Sequence, residues 1–325
     1  MKADFNYKSI VFILLGCLWG MVACEVDNTA YNSQMHQLPT SLDLTDVCFI
    51  NADTGYVSAG GIFTSGLLLR TMNGGTTWDT LQTYPQGAKS LSYTNGIFSV
   101  VEAGRKLHTT SDFVNWEVQH ATDGWWNWHQ HVRLADNRVL LAGGENLGRG
   151  FLHINSPTTT TTNLQDTFFH EMRDIEVTSN RSIYMVGYGV VLKSIDEGYS
   201  WTVSNVEGDF FRGVDFPSNA VGYVVGEYGS VYKTTNRGDS WTQCRGANSV
   251  FADQSKLLRD VAFVNEQTGF LVGAGNLVYK TTDGGKIWKQ IVSLDGYANF
   301  NRIRIMNNKA YLTGNQGHLL IVDLE

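Results

Sequence analysis

Four short segments hold most of the side chains able to do chemistry. Trp125-Trp126-Asn127-Trp128-His129-Gln130-His131 is the densest. Phe168-Phe169-His170-Glu171, Asp209-Phe210-Phe211 and Tyr297-Ala298-Asn299-Phe300 repeat its mixture of rings and polar groups. Tyr188, Glu227, Tyr228, Glu145 and Arg149 stand in turns, and Lys89, Arg173, Arg212 and Arg259 each open a strand-like stretch. Aromatic platforms with polar rims suit sugars or polypeptides, and the arginine fork suits carboxylates. The candidate binding set is therefore Trp125, Trp126, Trp128, His129, His131, Phe169, Glu171, Arg173, Tyr188, Phe211, Arg212, Tyr228 and Arg259. Each has a plainer alternative: the tryptophans as a hydrophobic plug, the arginines as partners of Asp174, Asp260 or Asp209.

Catalysis is weakly signalled. A glycosidase needs two carboxyl groups about 5–10 Å apart; Glu171, Asp209 and Glu227 are available, but their spacing singles out none. His129 and His131 alternate and would share one side of a strand, yet a metal site needs more ligands. No catalytic residue, metal or cofactor is assigned.

What positions these segments is a repeated spelling. Thr71-x-Asn73-x-Gly75-x-x-Trp78 returns as Ser194-x-Asp196-x-Gly198-x-x-Trp201, Thr234-x-Asn236-x-Gly238-x-x-Trp241 and Thr281-x-Asp283-x-Gly285-x-x-Trp288. A damaged copy has Thr110 and Asp112, with Trp116 one residue early and no glycine. Repetition at a fixed spelling identifies repeat architectures. Each copy is expected on a hairpin, the acid or amide capping backbone N–H groups, the glycine at positive φ and the tryptophan buried.

Around each copy run short strands, best seen at Arg212–Phe216, Gly222–Gly226, Ser230–Thr234 and Ser240–Cys244. Seven such units fit between Ser41 and Glu325; the third lacks the motif, and the seventh spells three strands. Four antiparallel strands in about 40 residues describe a propeller blade. The expected fold is all-β: a single seven-bladed β-propeller over 41–325, closed by a strand near Tyr31–Leu38 entering the last blade. The repeated turns then lie on one face and the candidate binding segments on the other.

The spelling resembles the Asp-box, or bacterial neuraminidase repeat. Together with Arg259-Asp260-Val261-Ala262-Phe263 and Gly269-Phe270-Leu271-Val272-Gly273 it looks most like the photosystem II stability/assembly factor family. Arg173-Asp174-Ile175 and Arg212-Gly213-Val214 repeat the pattern. The resemblance implies a non-catalytic, extracytoplasmic propeller that binds a protein. The alternative is a glycan-active or sugar-binding relative of sialidases and xyloglucanases, which share the box. A sialidase brings an arginine triad, a tyrosine nucleophile and an Arg-Ile-Pro motif, and that last motif is absent from this sequence.

Lys2, Lys8 and the apolar run Ile10–Ala23 describe a secretory signal over 1–23. Met21-Val22-Ala23-Cys24 resembles a bacterial lipobox, so Cys24 is the expected lipid attachment point and 24–40 a lipidated tether carrying the closing strand; Cys17 is the second choice. These features place the mature protein in the cell envelope, membrane-associated through the anchor. Cys48 and Cys244 then remain, expected as buried thiols. Net charge is −7 over 325 residues, which gives no reason to expect nucleic acid. Glycine (34) far outnumbers proline (4), in keeping with many tight turns. The expected partner is a protein or glycan ligand, met by a monomer.

Overall fold

The computed structural model describes residues 26–27, 31–103, 106–120, 127–145, 149–155, 162–168, 171–245, 257–291 and 298–324. Trp125, Trp126, Phe169 and the proposed anchor Cys24 lie outside these residues. The described chain is all strand and turn, save one three-residue 3-10 turn at Asn315–Gly317.

The strands assemble into six sheets. In chain order the first holds β3 (Leu44–Phe49), β4 (Gly55–Ala59), β5 (Gly66–Thr71) and β6 (Asp79–Tyr84). The second begins with β7 (Ala88–Thr94) and the third with β11 (Asn127–Arg133). The fourth has six strands, because two units share material. Within it β16 (Ile183–Ser194) runs through what the sequence spells as two strands, and β17 (Thr202–Asp215) serves first one unit and then the next. The pairing of β16 with β17 shifts register between Tyr188 and Val190, and these two long strands carry the chain from one unit into the next. The fifth sheet starts at β21 (Leu258–Phe263) and the sixth at β25 (Phe300–Met306).

The N-terminal segment enters two sheets. β2 (Ser33–Gln37) pairs antiparallel with β27 (His318–Asp323), filling the fourth place beside β25 and β26 (Lys309–Gly314). Before it, β1 (Val26–Asp27) lies parallel to β24 (Lys289–Ile291). The expected free tether is therefore partly paired: Val26 and Asp27 satisfy an otherwise open strand edge.

Burial follows the strand pattern. The second strand of each unit is buried on both faces, as in Tyr223-Val224-Val225 and Phe270-Leu271-Val272. The repeated turn does the local work its spelling implies. In the last copy Thr281 Oγ1 donates to Asp283 Oδ1 at 2.8 Å and accepts the Gly285 N–H at 2.9 Å. Asp283 Oδ1 also accepts the Lys286 and Ile287 N–H groups, both at 3.0 Å. Gly285 takes φ +81°, a region costly for a side chain. Phe263 stacks on Tyr223 of the preceding unit at 3.9 Å and meets Trp288 edge-on at 5.8 Å. The same column recurs as Tyr184–Phe216–Trp241 and Tyr311–Phe49–Trp78. Tyr223 and Tyr184 also donate their hydroxyls to the next turn, at Gly284 O (2.9 Å) and Arg237 O (2.8 Å). The turn thus fastens its own hairpin and receives its neighbour. In the damaged copy Phe113 takes the glycine's place at φ +59° and stacks on Tyr56 at 4.7 Å.

Two cysteines are free among the described residues, and Cys48, half-buried, comes nearer the expected buried thiol than Cys244. Burial pushes the Cys48 thiol up to about 12. Cys244 is exposed, on the outermost strand of its sheet, β20 (Thr242–Arg245), where one side has no covering sheet.

Candidate functional site

One structural device builds the site. Each innermost strand shifts register near its start, so that one residue is skipped by the ladder. The skipped residues are Thr45, Lys89, His129, Arg173, Arg212, Arg259 and Asn301. A β-bulge re-aims the side chain of its extra residue. All seven line one cavity of about 360 Å³, together with Asp43 and Arg302. The expected gathering of Lys89, Arg173, Arg212 and Arg259 at one mouth is therefore what the geometry gives, and the bulge is its cause.

Charge there is only partly balanced. Arg173 Nη2 pairs with Glu171 Oε2 at 2.9 Å, whose other oxygen meets His129 Nε2 at 2.6 Å. Arg212 pairs with Glu227. Both guanidinium groups lie over the Phe210 ring, at 5.0 and 5.4 Å. Lys89 donates to Gly60 O at 3.1 Å and Arg259 to the Asn301 side chain. Neither makes an ion pair among the described residues. Crowding of like charge adds to burial: both effects lower Arg173, to about 10, and lower Lys89 and Arg259, though carboxylates nearby oppose them. Burial above all pushes His129 down to about 4, so it is neutral at pH 7. The cavity presents surplus cations in a partly desolvated setting, an arrangement suited to a carboxylate or another anion.

The cavity floor was not expected. Arg302, next after the bulge on β25, reaches Asp174 Oδ1 at 2.5 Å, Asp260 Oδ2 at 3.6 Å and Asp46 Oδ1 at 3.9 Å. Arg304 adds contacts to Asp46 (3.5 Å) and Asp260 (3.4 Å). The same aspartates accept backbone N–H groups of neighbouring strands: Asp46 from Leu91 (3.1 Å), Asp174 from Val214 (3.1 Å), Asp260 from Ile303 (2.9 Å). They tie innermost strands together around one buried arginine. At Gly213, the matching position on β17, an added Cβ would lie 2.7 Å from Asp260 Oδ1, so only glycine fits. Arg302 carries no motif; its one sequence signal was the alignment of Phe300-Asn301-Arg302 with Leu258-Arg259-Asp260.

Several expected ligand residues are corrected. Trp128 lies within strand β11 at 1% exposure, packed among Val101, Leu107, Val139 and Leu141. Phe211 is fully buried between the two units of the fourth sheet, with Tyr184, Val214 and Val224. Both follow from strand alternation: the ring next to a bulged residue points back into the core. His131 does not share a side with His129, because the bulge breaks the alternation. Its Nδ1 meets Ser90 Oγ at 2.7 Å, and it lines a second cavity. Tyr188 and Tyr228 stay near half exposed, at 45% and 43%. Asp174 and Asp260 pair with Arg302 and Arg304 rather than with the rim arginines. Asp209 pairs with no arginine either; its oxygens accept the N–H groups of Phe210, Tyr228 and Ser230 and the Ser230 hydroxyl.

Comparison with known proteins agrees with this architecture. Residues 248–323 match the family described as photosynthesis system II assembly factor YCF48. No curated protein sequence matches the chain. A structure of YCF48 bound to D1 peptide superposes with TM-score 0.71 at 16% identity, covering 93% of this chain and 100% of that one. YCF48 from Cyanidioschyzon merolae gives 0.70 at 16%, over 90% and 99%. Virginiamycin B lyase from Staphylococcus aureus gives 0.73 at 8%, over 91% and 100%, so the fold alone does not select a chemistry. The chain has the β-propeller fold, and its residues 248–323 carry the repeat of the photosystem II assembly factor-like family.

Proposed function

We propose that this chain is a non-catalytic binding and assembly factor whose cationic cavity receives an anionic stretch of a partner polypeptide. The observation that carries the reading is the convergence of four cations on bulged positions, with Lys89 and Arg259 lacking an ion pair among the described residues. The relative solved with a D1 peptide supports a protein as the partner class. In this reading the strands form one closed seven-bladed ring over 41–325. Supporting closure, each innermost strand touches the next from β3 to β25, and β25 touches β3. The pairing of β2 with β27 supports the N-terminal closing strand. The extracytoplasmic location, the signal over 1–23 and lipidation at Cys24 belong to the same proposal and rest on the sequence pattern. So does a monomeric state. A glycan ligand remains the second reading, favoured by the part-exposed ring of Tyr188, which meets the Phe210 ring under Arg173 and Arg212.

Fluorescence anisotropy with a labelled glutamate-rich decapeptide tests the proposal, with a lysine-rich decapeptide as control. Saturable binding to the acidic probe alone is expected, weakening between 50 and 500 mM salt as charges are screened. Arg259→Ala should weaken it about tenfold, the loss of one charge-assisted contact. Equal binding of both peptides, or none of the acidic one, would sink the reading. A lipid-labelling experiment with Cys24→Ser and Cys17→Ser tests the anchor separately.

A further inference from the structure

Below the Arg302 floor lies a second cavity of about 290 Å³. Much of its wall is apolar, including Leu91, Ile175, Val214, Val261 and Ile305. Its polar part includes His131, Glu176 and Asp215, on three successive innermost strands. Hydrogen bonding fixes the state of His131. Ser90 Oγ donates its single proton to Gln130 Oε1. It therefore accepts both the His131 backbone N–H (3.2 Å) and the ring Nδ1–H (2.7 Å). Nε2 is left as a bare lone pair. It is buried, on a residue 2% exposed, and has no hydrogen-bond partner. Unpaired buried polar atoms are rare, and each asks for an explanation.

The neighbouring carboxyls also hold more acceptor capacity than the donors that reach them. Glu176 makes no hydrogen bond among the described residues. Asp215 uses one oxygen on the Phe263 N–H at 3.1 Å. Arg304, the cation in this wall, is held by Asp46 and Asp260. Among the described residues no cluster of three or more His, Cys, Asp or Glu side chains is arranged to hold a metal ion. A pair of carboxyls and an apolar wall call for a cation with several N–H donors and a hydrocarbon stem.

We propose that the second cavity binds a primary alkylammonium group, which donates to the neighbouring Glu176 and Asp215 carboxyls while its methylene chain lies along the apolar wall beside His131. The group has two sources, a free alkylamine or a lysine side chain, and both present the same three N–H donors. Binding is coupled to protons. Burial and nearby Asp174 push Glu176 up to about 7, and burial with Glu176 and Asp260 raises Asp215 well above the usual range. The charged groups packed around them are Asp46 on β3, Arg133 on β11, Asp174 on β15 (Met172–Val177), Asp260 on β21, and Arg302 and Arg304 on β25; the Cys48 thiol stays neutral. An ammonium ion favours the ionised carboxyls, so it displaces protons and binds more tightly as pH rises from 6 to 8.

The test is an NMR titration of the purified full chain, following the His131 ring nitrogens. Its ligand arms are n-butylammonium, n-butanol as the neutral isostere, and an N-acetylated pentapeptide amide with one central lysine. Saturable shifts of Nε2 with n-butylammonium, tighter at pH 8 than at pH 6, are expected. Glu176→Gln should weaken binding about tenfold, and Asp215→Asn provides the same reading should the first variant unfold. Response to the pentapeptide as well assigns the site to lysine side chains; response to the small amine alone assigns it to free amines. Shifts of equal size with n-butanol, unchanged affinity in both folded variants, or no saturation in the wild type at pH 8 would overturn the proposal. None of these outcomes depends on the cationic cavity, whose peptide test stands or falls separately.

Discussion

Replacing Arg302 with methionine should destabilise the protein more than any single change at the rim. The arginine is 8% exposed and sits within ion-pair distance of three carboxylates that are themselves 0–3% exposed or close to it: Asp46 at 1%, Asp174 at 3% and Asp260 at 0%. Methionine fills much of the same volume, so packing loss is small. What remains is uncompensated buried negative charge, with Arg304 the one cation among the described residues still touching Asp46 and Asp260. Removing one partner of a buried pair costs about 3–5 kcal/mol. In a chain of 325 residues that lowers the thermal midpoint by roughly 4–8 °C. The pH dependence identifies the cause. Burial already raises Asp260 to about 6 in the wild type, with Arg302 opposing the shift. Without the arginine the Asp260 value rises further above its unfolded one. A raised carboxyl costs stability where the unfolded chain would be ionised, so the penalty is largest near pH 8 and shrinks toward pH 5 as the group protonates. Thermal unfolding by circular dichroism at both pH values measures it. A loss of equal size at pH 5 and pH 8 would show that shape, not charge, is what Arg302 supplies. No loss at all would refute the floor as a structural element.

Other expected outcomes are smaller and separable. Asp283→Ala removes the acceptor for two backbone N–H groups and should cost about 1–2 kcal/mol in denaturant unfolding, without altering acidic-peptide binding. Tyr223→Phe deletes the hydroxyl that reaches Gly284 O and should cost about 1 kcal/mol; a neutral result would mean the inter-unit bond is idle. Glu176→Gln should raise the thermal midpoint at pH 8 and leave it nearly unchanged at pH 5, because the folded value near 7 lies above the unfolded one and ionisation opposes folding. His129→Asn should leave peptide affinity independent of pH between 5.5 and 8, as in the wild type, because burial keeps this histidine neutral across that range; a wild-type titration centred near 6.5 would contradict its burial.

The repeats were legible because their signals are local. A hydroxyl residue, an acid or amide, a glycine and a tryptophan at fixed spacing make the same turn wherever they occur, since the bonds they form stay within a few residues. Asn73, Asp196, Asn236 and Asp283 all accept the hydroxyl two positions before them, at 2.8–2.9 Å. The damaged copy at Asp112 and Trp116 was equally readable. The rim cations were readable for a related reason: Lys89, Arg173, Arg212 and Arg259 hold equivalent places in successive units, so alignment of the repeats aligned the side chains.

Tertiary structure decided the rest. Trp128 and Phe211 looked like ligand platforms because a sequence shows that a ring is present, not which side of a strand it takes. One bulged residue reverses that side, and it does so at every innermost strand. The separation of His129 from His131 into two cavities has the same origin. The Arg302 floor was beyond reach, because its partners Asp46, Asp174 and Asp260 come from three different units up to 256 positions away and meet only where the innermost strands converge. The sequence by itself determined the repeat, its turns and the polarity of the rim, all of which rest on neighbours in the chain. Which side chains face the cavities, and which charges are paired there, was settled by packing, since both depend on how strands from distant repeats are brought side by side.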